Sequence, residues 1–218
     1  MLVVVGGHSR HIGKTAVVAG LIRKLRDQRW TALKITPYGH VVCGSQRHGC
    51  HCPGDAGVEH FFALREEYEP GETDSGRFLA AGAKRSFWLR THLGELPRAA
   101  GVLEKLLAQG ENVIVESNCI MELVHPDVFL MLLDFGCRDF KPSSLRFMER
   151  VDAFLVIDRG INLPLWEEIS SGLWGDRKQF AIQPPHYVSS AVASFVRSRL
   201  GPDSPKNSTR LRPRSLAQ

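Results

Sequence analysis

The chain has 218 residues, enough for one sizeable core and for one or at most two domains. Its 43% hydrophobic and 23% charged residues are those of an ordinary soluble globular chain, and no apolar run reaches the roughly 18 residues that a membrane-spanning helix needs. The net charge of +5 gathers at one end. From Arg197 onward six basic residues face one acid, Asp203, so residues 1–196 are neutral overall and a nucleic-acid-binding face is not expected. The apolar start, Met1 to Val5, is too short for a signal peptide, so the expected location is the cytoplasm. Five cysteines, an odd number, argue against a disulfide framework.

In chain order, apolar strands alternate with amphipathic helices. Leu2–Val5 reads as a buried strand, and Val18, Leu21, Ile22 and Leu25 recur at helical spacing, predicting a helix over 14–27. Ala32–Thr36 is a second strand, followed by a Gly/Cys/His-rich insertion over 37–60. Residues 61–83 are mixed, and Arg85–Leu89 is a third strand. The stripe Leu96, Ala99, Ala100, Leu103, Leu106 and Leu107 predicts a helix over 95–108, closed by Gly110. Strands follow at Val113–Val115, Val128–Leu133 and Ala153–Ile157, ending at Glu116, Asp134 and Asp158, and a last helix spans 187–200. This alternation predicts an α/β fold in three layers, a mostly parallel sheet with helices on both faces, over residues 1–200. Residues 201–218, rich in Pro, Ser and Asn, read as a disordered basic tail. Ligands in such sheets bind at the carboxyl ends of the strands, where Gly6, Lys34, Glu116 and Asp134 fall.

The most informative segment is Gly6-Gly7-His8-Ser9-Arg10-His11-Ile12-Gly13-Lys14-Thr15, which leaves a strand and opens a helix. That is the setting of a phosphate-binding P-loop. Backbone N–H groups from Gly7 through His8, Ser9, Arg10, His11, Ile12 and Gly13 to Lys14, Thr15 and Ala16 are the candidate cradle. Gly13 permits close backbone approach, Lys14 reaches the outer phosphates, and the Thr15 hydroxyl can ligate Mg²⁺. The usual spacing puts four residues between two glycines. Here the first of those glycine positions is His8, and five residues separate Gly7 from Gly13.

This longer loop resembles that of the dethiobiotin synthetase and cobyrinic acid synthase type of P-loop protein. The wider pattern resembles the molybdopterin-guanine dinucleotide biosynthesis protein B (MobB) family. The matching pieces are Gly13-Lys14-Thr15, the strand Ala32-Leu33-Lys34-Ile35 with the later His40, Thr73-Asp74-Ser75-Gly76-Arg77 leading to Ala81-Gly82-Ala83, and Val113-Ile114-Val115-Glu116. They cover roughly the first 120 residues. The resemblance implies the P-loop NTPase fold, nucleotide binding and, often, a homodimer. Two departures stand out. The family's Glu-Gly-Phe is here Glu116-Ser117-Asn118, and the chain has no Asn-Lys-x-Asp guanine-reading motif, so GTP and ATP both stay open.

Lys34, inside an apolar strand, is the candidate second cation; in the resembling families a lysine here lies near the phosphates. Glu116 resembles a Walker B acid, able to hold Mg²⁺ through water. Lys14, Lys34 and Glu116 are therefore the candidate catalytic residues. Asp74, Ser75 and Arg77 form a polar group in which Asp74 either caps the following helix or meets substrate. In the insertion, Cys43, Cys50, Cys52 and His60 make a candidate Zn²⁺ set, with His40, His48 and His51 as substitutes, although only one residue separates Cys50 from Cys52. A reduced, metal-free loop is the competing reading. Cys119 and Cys137 are expected as buried small hydrophobes, His92, His125 and His186 as ordinary histidines, and Trp166 and Trp174 as packing residues.

Three functions follow. The first is a MobB-like protein that binds GTP or ATP with Mg²⁺, hydrolyses it slowly and assists the assembly of molybdenum cofactor or a related cofactor with a protein partner. The second is a metal-handling GTPase whose Cys/His loop carries the metal. The third is an ATP-dependent ligase or kinase of the dethiobiotin synthetase kind.

Overall fold

The computed structural model describes residues 1–38, 61–109, 112–166 and 168–199. The Cys/His insertion with Cys43, Cys50, Cys52 and His60, its substitutes His40, His48 and His51, and the basic tail lie outside the described residues.

The β-branched run at the start forms β1, Leu2–Gly7, buried throughout. It leads through the glycine-bearing loop into α1, Lys14–Lys24. β2 (Thr31–Tyr38) and β3 (Phe62–Glu67) follow, then α2 (Asp74–Ala80), β4 (Arg85–His92), α3 (Ala100–Gln109) and β5 (Val113–Glu116). The second half supplies β6 (Val128–Asp134), α4 (Pro142–Phe147), β7 (Ala153–Ile157), β8 (Gln179–Ile182) and α5 (Ser190–Ser198). No helix among the described residues is long and apolar enough to cross a membrane.

The strands form one sheet in the order β3-β4-β2-β5-β1-β6-β7-β8. All pairings are parallel except β3 against β4. Side chains alternate across each strand, so β1 sends Leu2 and Val4 to one face and Val3 and Val5 to the other. On the first face they meet Leu103, Leu106 and Leu107 of α3 and Phe147 at the end of α4. On the second they meet Val17, Val18, Leu21 and Ile22 of α1, Phe78 of α2 and Val192 and Val196 of α5. Two apolar layers enclosing a sheet buried on both faces make this the expected three-layer α/β fold.

Several boundaries differ from expectation for local reasons. The first helix stops at Lys24 rather than Asp27, and Arg26–Gln28 tightens into a 3₁₀ turn that Arg29 ends at φ 50°. The Trp30 indole N–H donates at 2.9 Å to the Leu25 carbonyl, which also accepts the Gln28 N–H at 3.1 Å, and fixes this turn into β2. The helix predicted over 95–108 divides into a 3₁₀ turn at Leu96–Ala99, which carries Pro97, and α3. Residues 61–83 resolve into β3 and α2, and Gln179–Ile182 adds an edge strand that apolar periodicity did not show.

Trp30 joins a fully buried ring to the hydrogen bond that closes the α1–β2 turn. Trp30→Ala is expected to cost about 3–5 kcal/mol from the cavity it leaves. A urea-denaturation midpoint indistinguishable from wild type would contradict this account of the turn.

Candidate functional site at the carboxyl ends of β1, β2 and β5

The loop after β1 is held from behind by polar side chains. Asn118, just past β5, brackets the Gly7 peptide: its Oδ1 accepts from Gly7 N–H at 2.9 Å and its Nδ2 donates to Gly7 O at 3.0 Å. Ser144 Oγ also donates to Gly7 O at 2.7 Å. Gly6 must lack a side chain, because a Cβ there would lie 2.3 Å from Asn118 Oδ1. The extra residue of the loop is taken up by two left-handed conformations, His11 at φ 56° and Gly13 at φ 97°. Histidine is among the residues that tolerate this region.

His8 turns inward instead of joining the cradle. It is fully buried, with its ring centroid 5.0 Å from Phe140 and 5.9 Å from Trp166. Its N–H is committed to Leu132 O, its Nε2 accepts from the Asp134 N–H at 2.9 Å, and its Nδ1 lies 3.1 Å from Asp139 O. Because Nε2 is the acceptor, Nδ1 carries the proton and the ring is neutral. Burial drives its pKa down to about 4 against the weaker pull of the Asp139 carbonyl and nearby carboxylates. The expectation of His8 as part of the phosphate cradle is thus corrected: it has no free donor for an anion. Ser9 is also tied back, donating to Asp139 Oδ2 at 2.7 Å, while Arg10 and His11 are exposed.

The charged groups converge where α1 begins. Lys34 on β2 lies in register beside Glu116 on β5, on the face covered by α1 and α2. Its ammonium pairs with Glu116 Oε1 and, at 2.9 Å, with Asp74 Oδ2. Thr15 Oγ1 donates to Glu116 Oε2 at 2.8 Å. Glu116 is only 1% exposed. Burial pushes the Asp74 carboxyl up, but Lys34 and the Thr15 hydroxyl outweigh it and hold the group below the ordinary carboxylate range. Asp74 is not the helix cap; Thr73 takes that place by accepting from Gly76 N–H at 3.0 Å, which leaves Asp74 free to face Lys34. Ser75 donates to Glu67 and Arg77 pairs outward with Glu72, so neither joins the cluster.

Lys14 folds back to donate to the Ser9 carbonyl at 3.0 Å. Burial lowers its pKa, opposed by Glu116 and reinforced by Lys34. α1 carries no side-chain cap, unlike α2 and α5. Val17 N–H makes the first intrahelical bond, to Gly13 O. The N–H groups of Gly13, Lys14, Thr15 and Ala16 are therefore the outward-facing donors of the helix end.

Sequence reasoning missed two groups here. Asn118 was visible only as a departure from a family pattern, although it frames the loop. Lys141 stands at the start of α4 with its N–H bonded to His8 O at 2.8 Å. The available signal was topological: β6 flanks β1, so the loop after it must pass beside the P-loop. Asp134 accepts from Gly136 N–H at 3.0 Å and pairs with Arg159 at 3.1 Å, which makes it a brace for its own turn. Cys119 and Cys137 are half-buried rather than buried, and burial raises the Cys119 thiol pKa. His92 stacks on Tyr38 at 4.3 Å, and Trp166 and Trp174 pack edge-to-face at 5.5 Å. No three His, Cys, Asp or Glu side chains gather for a metal among the described residues.

A strand–loop–helix unit of this kind, at the centre of a mostly parallel sheet covered on both faces, defines the P-loop NTPase fold. No family model and no curated protein matches the sequence. Among solved structures, the chain is similar to HypB from Helicobacter pylori, crystallised in complex with nickel, at 13% identity and a TM-score of 0.49. That match covers 91% of this chain and 86% of HypB. It is also similar to LpxK from Aquifex aeolicus, crystallised in complex with ATP, at 18% identity and a TM-score of 0.44. That match covers 83% of this chain but 53% of LpxK, so the chain spans about half the length of that protein. The geometry of the site, and not these likenesses, carries the functional reading.

The neutral His8 has a measurable consequence. Its pKa is about 4 in the fold against 6.5 for a free imidazole. As pH falls below 6.5 the unfolded chain takes up a proton that the folded chain refuses, so stability contributed here is present above that pH and lost on acidification. Between 6.5 and about pH 5 the loss is about 2 kcal/mol. His8→Phe is expected to be less stable at neutral pH, by about 1–3 kcal/mol from the unpaired groups it leaves. Its urea stability is expected to vary less than that of wild type across this window; an equally steep variant would show that His8 is not the buried neutral group.

Proposed function

We propose that this chain binds a nucleoside triphosphate, GTP or ATP, together with Mg²⁺ at the β1–α1 loop and turns it over slowly. The observation that carries the reading is the meeting of Thr15, Glu116, Asp74 and Lys34 beside the uncapped N-terminus of α1. Thr15, Glu116 and Asp74 offer hard oxygen donors that fit Mg²⁺, an ion that takes one or two carboxylates and completes its shell with water and phosphate. Held by these oxygens, the ion would supply positive charge to offset that of the outer phosphates.

The chain's own groups do the rest. The N–H groups of Gly13 to Ala16 hold phosphate oxygens along the helix axis, where the helix dipole favours anions. Lys14 exchanges the Ser9 carbonyl for a phosphate oxygen. Lys34, held in place by Glu116 and Asp74, sets a second positive charge where negative charge develops in phosphoryl transfer. Slow turnover is supported by what the charged groups are already doing: Glu116 and Asp74 are engaged by Lys34, and His8 faces away. The resemblance of the first 120 residues to MobB-like proteins supports a role in assembling molybdenum cofactor or a related cofactor. Nucleotide release that depends on an added acceptor would instead favour the ligase or kinase reading.

Titration with GTPγS and ATPγS, with and without Mg²⁺, tests the site. Lys14→Ala is expected to weaken binding by about 10- to 100-fold, the worth of a charged hydrogen bond. Thr15→Ala and Asp74→Asn are expected to abolish the gain from Mg²⁺ while sparing metal-free binding. Wild-type protein that binds neither analogue in Mg²⁺ would end the proposal.

A further inference from the structure

The phosphate end of the site holds more positive charge than the motif accounts for. Lys34 is neutralised by Glu116 and Asp74. Lys14 and Lys141 are not: Lys14 donates to a carbonyl, and neither forms an ion pair with a carboxylate among the described residues. Lys141 is pinned against the loop by its N–H bond to His8 O at 2.8 Å, one residue before the Ser9 carbonyl that holds the Lys14 ammonium at 3.0 Å. Pro142 at the first position of α4 fixes the chain direction just beyond it. Two partly buried ammonium groups close together repel each other and lose hydration, so an anion between them favours the state in which both are charged.

We propose that Lys141 and Lys14 together clamp the outermost phosphate of the bound nucleotide, so that Lys141 sets the preference for triphosphate over diphosphate. The inference rests on the nucleotide-binding reading above. Lys14 is the residue that reaches the outer phosphates of a P-loop ligand, and Lys141, bonded to the neighbouring carbonyl of the same loop, stands at the same end. The charged groups facing Lys141 agree with an anion site. Burial, then Lys14, Arg10 and Lys34 lower its pKa to about 7, and Asp139 alone opposes them. A phosphate arriving there restores the ammonium form.

The test measures dissociation constants for ATPγS, GTPγS, ADP and GDP in Mg²⁺ by calorimetry, for wild type, Lys141→Gln and Lys141→Arg. Lys141→Gln is expected to weaken the preferred triphosphate analogue about tenfold or more and to leave its diphosphate within about twofold. Lys141→Arg, which keeps the charge, is expected to retain most of the preference. The ratio of wild-type to Lys141→Arg affinity is expected to fall as pH rises above about 7, because only the lysine loses its proton. This ratio cancels the titration of the nucleotide itself. A Lys141→Gln protein that binds triphosphate as wild type does, or that loses triphosphate and diphosphate equally, overturns the clamp while wild-type binding still stands. Wild-type protein that binds none of the four removes the nucleotide reading beneath it.

Discussion

A carboxylate removed from water governs this architecture. Glu116 ends β5 with its side chain almost wholly buried. Burying a charge of this size costs several kcal/mol unless partners replace the lost water. Those partners come from two other elements: the Thr15 hydroxyl on α1 and the Lys34 ammonium on β2. Lys34 then draws in Asp74 at the head of α2. None of these meets the others unless β5 lies between β1 and β2, as the strand order places it. The crossover that inserts β5 there is thus the topological condition for the charged cluster, and the cluster in turn locks the carboxyl ends of the central strands together.

Behind the loop the same problem is solved with neutral groups. Asn118 and Ser144 satisfy the Gly7 peptide, and His8 satisfies a backbone donor of β6 with an uncharged ring. A charged imidazole there would face the desolvation that keeps its pKa near 4. The loop is therefore rigid and neutral on its core side, with its polar donors left to the solvent side. Phosphate sites profit from that arrangement, because donors already oriented need no reorganisation when the ligand arrives.

Much of the fold was legible because burial and periodicity are local. The β-branched strand at the start, the stripe of α1 and the apolar runs of β5, β6 and β7 all announce themselves. Lys34 was legible as an oddity, a cation between Leu33 and Ile35, and the in-register pairing with Glu116 explains it. What stayed hidden depends on neighbours distant in sequence. β3 alternates exposed and half-buried residues because it is the antiparallel edge, so its apolar signal is weak. The inward turn of His8 depends on Asp134 and Asp139, more than a hundred residues away. Of the two roles open to Asp74, capping went instead to Thr73, one residue earlier, and only the partner on β2 shows why the acid is left free.

The charge distribution explains how a body of no net charge presents a strongly polar site. Residues 1–196 are neutral overall, so the field at the site is local and not a property of the whole surface. Within it the groups separate. On one side Glu116 and Asp74 hold the ammonium of Lys34, and the Thr15 hydroxyl donates to Glu116. On the other, Lys14 and Lys141 flank the loop, and burial together with the charge of Lys14 disfavours the ammonium form of Lys141. The first half favours a small cation and the second an anion of high charge density. A metal–polyphosphate complex presents both within a few ångströms, and neither a free metal ion nor a free phosphate satisfies both halves. On the proposed reading, complementarity to the pair, rather than to either ion alone, is what the two halves together would select.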